Sequence, residues 1–198
     1  MTTDPVTPAM RAPAPVPPEP TLPGDLSRMN ALGLHFHQAQ HFDRSLEQFW
    51  LSLLRSRELG YREWESVALN NIGMVYQSWG KFDHAMKFYH QSLNISEEIG
   101  FAQGAIAALN NLGRLYESWG RTDRAMEHYE RSLSLADVHG DMGSKRMTLL
   151  NLAMCLERLG EFRRCREHLR EVIRIDRLIQ HPHMEMDKAY LAQLEGRP

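Results

Sequence analysis

Cysteine is scarce in this 198-residue chain, with only Cys155 and Cys165. No stretch approaches the run of about 18 apolar residues that a membrane helix needs. The first scarcity points to reduced thiols in a cytoplasmic protein and away from a disulfide framework. The second leaves no membrane-spanning helix to expect. Neither sign of charge prevails: 23 Lys and Arg stand against 25 Asp and Glu, a formal charge of -2, which argues against a nucleic-acid-binding or membrane-surface protein as a whole. The opening residues, "MTTDPVTPAMRAPAPVPPEP", lack the apolar core of a secretory leader. A Gly-rich phosphate loop, a Gly-x-Ser-x-Gly elbow and a Cys set beside a base are all missing. No enzyme activity and no cofactor are expected.

Most of the proline falls within residues 1–25, which hold almost nothing to bury and are expected to form a disordered, Pro-rich tail. Beyond them the chain repeats. "ALNNIGMVYQSWG", starting at Ala68, returns 40 residues later as "ALNNLGRLYESWG", starting at Ala108. The same period runs without a gap through four units. One column reads Gly33, Gly73, Gly113, Ala153, and three residues on come Phe36, Tyr76, Tyr116 and Leu156. Others read Ser45, Ala85, Ala125, Cys165, then Phe49, Tyr89, Tyr129, Leu169. Small residues recur where two helices must approach closely, and bulky ones recur at helical spacing from them.

Each unit breaks twice. Gly80, Gly120 and Gly160 are expected to end a first helix, and Gly60, Gly100 and Gly140 a second, as left-handed residues after the last turn. Asp43, Asp83 and Asp123 follow the first break and are expected to N-cap the second helix. A hairpin of this kind cannot bury its apolar faces alone, so the units should stack into a solenoid.

These columns resemble the tetratricopeptide repeat, with its Leu-Gly-x-x-Tyr followed by Ala-x-x-x-Phe. The 40-residue period and the lack of the usual early Trp and terminal Pro resemble its longer-helix branch, that of Pins-type polarity adaptors, kinesin light chains and Rap-type bacterial regulators. The resemblance implies an all-α, right-handed superhelical solenoid of four antiparallel helical hairpins. The expected units are 26–60, 61–100, 101–140 and 141–180, with a capping helix and tail over 181–198. It also implies a protein-binding adaptor or scaffold.

Asparagine is a poor helix former, so the paired asparagines need a reason. They could bond between hairpins, satisfying polar groups that stacking leaves open. Alternatively, each amide matches the C=O and N–H of an extended peptide, and the resemblance favours this role for Asn71, Asn111 and Asn151, with Asn70 and Asn110 behind them. The same helical stripe carries Met74, Gln77, Arg114, Glu117, Met154 and Arg158 as further partner-binding candidates. Lys or Arg does not accompany the asparagines in the first two units, which argues against a clamp for acidic chaperone tails.

The outer face of the second helix is polar in three units, but in the first it carries Trp50, Leu51 and Leu54. Such a patch should be covered. The tail, a second copy in a homodimer and a different partner are the three candidates. Ten histidines invite a metal reading. "HFH" and "HPH" lack a Cys, Asp or Glu at ligand spacing, so no metal is expected. Arg163, Arg166, Arg170, Arg174 and Arg177 form a stripe that Glu167 and Glu171 should neutralise, so nucleic acid is not an expected partner. Trp79 and Trp119 are expected to pack between hairpins.

Overall fold

The computed structural model describes residues 23–197. Among them are nine helices: α1 (Pro23–Gln38), α2 (Phe42–Leu59), α3 (Arg62–Ser78), α4 (Phe82–Glu98), α5 (Ala102–Ser118), α6 (Thr122–His139), α7 (Met142–Arg158), α8 (Phe162–Ile179) and α9 (Met184–Leu194). The tail expected over residues 1–25 lies almost entirely outside the described residues. Each helix packs on the next in the chain, and the first helices also touch one another, α1 on α3, α3 on α5 and α5 on α7. This is an all-α repeat solenoid held by neighbours alone.

Gly60, Gly80, Gly100, Gly120, Gly140 and Gly160 all take positive φ, between 66° and 77°. The left-handed residue lets the chain reverse within three residues. Gln40 and Gln180 hold the equivalent places at the outermost turns, with φ of 59° and 53°.

The capping expected of Asp43, Asp83 and Asp123 is not what the structure shows. The residues at the N-cap are His41, Lys81 and Arg121, without side-chain caps. The aspartates sit inside the first turn, where a carboxylate meets the positive end of the helix dipole instead. Asp141 is a true cap, accepting from the Ser144 N–H at 2.9 Å.

Close helix approach is built on glycine. A Cβ added at Gly33 would lie 2.5 Å from Phe49, at Gly73 2.7 Å from Tyr89 and at Gly113 2.4 Å from Tyr129. In the last hairpin Ala153 takes the glycine's place, and the buried residue opposite is the smaller Leu169. Volume is conserved across the pair.

Candidate partner-binding face and its asparagine ladder

The asparagines form a ladder between hairpins. Asn71 Nδ2 donates to Asn30 Oδ1 at 2.5 Å, Asn111 Nδ2 to Asn70 Oδ1 at 2.9 Å, and Asn151 Nδ2 to Asn110 Oδ1 at 3.4 Å. Each rung spans 41 residues, one more than the repeat, which is why the asparagines must come in pairs. A residue in one column reaches the other column of the preceding first helix. Asn110 does more. Buried, it donates to Ile106 O and Ser132 Oγ, and its Oδ1 also accepts from Thr148 Oγ1 at 3.1 Å.

The ladder uses the amide N–H of Asn71, Asn111 and Asn151. Their Oδ1 atoms accept no hydrogen bond among the described residues. Beside them on the stripe, Arg114 and Met154 face solvent, Met154 at 51% exposure, and Met74 is half-buried. Arg114 forms no ion pair or hydrogen bond among the described residues, and its charge lies close enough to offset part of the upward pKa shift that burial imposes on Tyr89 and Tyr129.

Gln77 and Glu117 have internal partners. Tyr89 Oη donates to Gln77 Oε1 at 2.7 Å and Tyr129 Oη to Glu117 Oε2 at 2.8 Å. Arg158 Nη1 reaches the other oxygen of Glu117 at 3.3 Å. In the last hairpin Glu157 accepts from Tyr190 of α9. In the first, His37 Nε2 bonds to Ser78 Oγ at 2.8 Å, and partial burial lowers the pKa of its imidazole. The hydroxyl bonds of Tyr89 and Tyr129 were not legible in sequence, because each links a first helix to the residue twelve positions on, across a turn.

A second feature that sequence reading missed ties α9 to the array. Arg146 of α7 bonds both Asp176 of α8 and Asp187 of α9, all three buried. His181 Nδ1 lies 3.6 Å from Asp176, whose Oδ2 has no hydrogen-bond partner among the described residues. Arg166, one of the five stripe arginines, donates to the backbone oxygens of Leu194 and Arg197. Arg163 and Arg174 pair with Glu167 and Glu171 as the spacing indicates.

The two thiols are free and buried. Burial pushes Cys155 up to about 12, with the Glu117 carboxylate adding to it, and burial likewise raises Cys165. Trp119 packs against Phe82 of the preceding hairpin, and Trp79 against Phe42, with Lys81 Nζ 3.7 Å above the Trp79 ring. Trp50, Leu51 and Leu54 stand exposed on α2, Trp50 making a T-shaped contact with Phe88. No described helix is long and apolar enough to cross a membrane.

Helical hairpins stacked at one interval, small residues in the crossings and a side-chain ladder along one helix layer define a class, the superhelical helix-turn-helix repeat proteins. The tetratricopeptide-repeat model matches residues 25–98, 87–137 and 148–177, and the chain belongs to that family. No curated protein matches the sequence. Among solved structures it is similar to BtubC (BKLC) from P. vanneervenii, with 25% identity, a TM-score of 0.66, and coverage of 80% of this chain and 65% of that one. A kinesin light chain of nearly identical TPR-like repeats from Podosopora anserina superposes at TM-score 0.68 with 18% identity, covering 87% and 86% of the two chains. Aspartyl phosphate phosphatase F from Bacillus subtilis gives 0.78 with 10% identity, covering 85% and 44%. The chain thus spans less than two thirds of BtubC and under half of the phosphatase.

Proposed function

We propose that the chain is a cytoplasmic adaptor whose first-helix stripe forms a concave face for an extended peptide or a partner helix of another protein. One observation carries the reading: the ladder orients the part-buried Asn111 and Asn151, and the buried Asn71 before them, while leaving their Oδ1 atoms unused among the described residues, beside Arg114 and Met154 in solvent. An acceptor already held in place binds a peptide N–H without a further ordering cost. Helices in such a layer lie about 8–10 Å apart, and an extended chain rises about 3.3 Å per residue. The acceptors therefore meet about every third ligand residue. Each bond contributes only about 0.5–1.5 kcal/mol net, so Met74 and Met154 supply adaptable apolar contact and Arg114 a charge for an acidic group.

The test separates this face from the fold. Arg114→Glu combined with Met154→Asp should weaken a captured partner by about tenfold or more while the melting temperature stays where it was. Identical partner sets from wild type and variant, identified by mass spectrometry after affinity capture, would overturn the reading. A self-assembling alternative draws on the exposed Trp50, Leu51 and Leu54 and gives a dimer mass in light scattering.

A further inference from the structure

The two edges of the array are finished differently. At the carboxy-terminal edge α9 lays Leu194, Tyr190 and Leu191 over Ala153, Leu156 and Leu169. At the other edge nothing among the described residues plays that part. The column that reads Ile72, Leu112 and Leu152 is at most 1% exposed, because a preceding hairpin packs on it, whereas Leu32 in the same column is 42% exposed. On α2, Leu51 and Leu54 are 38% and 55% exposed, with Trp50 beside them. The column of Leu51 faces the preceding second helix in a later unit, where Arg131 reaches back to Glu97 at 2.6 Å. Leu32 and Leu51 thus open to the same side.

We propose that residues 1–22 cover this edge, with the segment "PAPVPPEPTL" (residues 13–22) lying against Trp50, Leu51 and Leu54. The attachment point favours it. The described chain starts at Pro23, the first residue of α1, which runs antiparallel to α2. Leu54 lies five residues before the end of α2, about 7–8 Å along the axis, so the anchor and the patch are at nearly the same level of the hairpin. Eight extended residues span about 25 Å, enough to pass from Leu54 to Trp50 and beyond. A tether this short holds the segment at a millimolar effective concentration, about 1 mM or more, so a contact too weak to pair two copies still closes intramolecularly.

The chemistry fits as well. Proline brings no N–H that burial would leave unsatisfied, and its ring stacks on an aromatic face. Trp50, 42% exposed and in T-shaped contact with Phe88 at 5.6 Å, offers an aromatic ring. Residues 1–22 carry only Asp4, Arg11 and Glu19 as charged groups, and Val6, Val16 and Leu22 supply aliphatic contact. The inference does not depend on the first-helix stripe binding anything.

A spin label tests it on the full chain. Ala14→Cys adds one accessible thiol, since Cys155 and Cys165 are buried. The label should strip intensity from the Trp50 indole and from the amides of residues 50–54 in a protein of monomer mass. Adding Trp50→Glu and Leu54→Glu should restore that intensity. Labelled protein mixed with an isotope-enriched, label-free copy should produce no such loss. The proposal is overturned if the singly labelled protein leaves α2 unaffected. It is equally overturned if the loss appears in the mixed sample alongside a dimer mass, which assigns the edge to a second copy.

Discussion

Asn111 is worth most to the stack through a single proton. Asn111→Ala removes the bond to Asn70 Oδ1, a loss of about 0.5–1.5 kcal/mol, and should lower the melting temperature by about 2–4 °C for each kcal/mol lost. Asn70→Ala should cost about the same, and the double variant little more, because both changes delete one rung. Additive losses in thermal unfolding would mean that the two residues act separately. Asn110→Ala should cost more than either, since it also strips partners from Ser132 and Thr148. The doublet was legible in sequence as a question. Its answer was not, because a rung spanning one residue more than the repeat joins two columns that sequence comparison keeps apart.

At the scale of the element, the crossing of α5 and α6 rests on a shape exchange between Gly113 and Tyr129. Gly113→Ala drives a methyl to 2.4 Å from the ring and should destabilise by about 1–3 kcal/mol. Combining it with Tyr129→Leu reproduces the Ala153 and Leu169 pair of the last hairpin, so the double variant should lose less than the two single changes added together. Chemical denaturation of the four proteins measures this. The helices and their glycine stops were legible from periodicity. The aspartate caps were not, since an acidic residue near a helix start serves a cap and a first-turn dipole equally well in sequence.

The docking of α9 carries the pH dependence. Burial raises the Asp187 carboxyl above its usual range, the neighbouring Asp176 adds to that shift, and the Arg146 guanidinium only partly offsets it. The groups facing it are Arg146 from α7 and Asp176 from α8, and His181, in the turn before α9, lies beside Asp176. A carboxyl raised in the fold gives stability that is present while it stays protonated and is lost as pH rises through its folded-state value. Amide-exchange protection of α9, corrected for the intrinsic rate, should therefore be greater in mild acid than at neutral pH. Asp187→Asn should flatten that difference, and an unchanged slope would place the titration elsewhere.

The whole molecule is a sum over neighbours, which is why so much of it could be read from a period. Columns of small and bulky residues specify one hairpin crossing, and repetition specifies the rest. The ends were not legible, because there the columns keep their residues but lose their neighbours. Leu32 obeys the pattern and stands open, while Tyr190, outside the repeat, performs for Glu157 what Tyr129 does for Glu117. Truncation after Gln180 should expose Leu156 and Leu169 and leave Glu157 without its tyrosine. Hydrogen exchange should then show α7 and α8 opening before α3 to α6, whereas uniform weakening would mean that the array melts as one unit.

The rungs also mark where the amide ladder stops. A further hairpin ahead of α1 would need an amide at Ala31 to donate to it, and one after α8 would need an acceptor at Leu150, and both positions are aliphatic. The described rungs therefore run from Asn30 to Asn151, and a hairpin stacked beyond either end would not be held by this amide seam. The polar seam thus belongs to the interior joints of the array, and its two outer joints rest on other contacts.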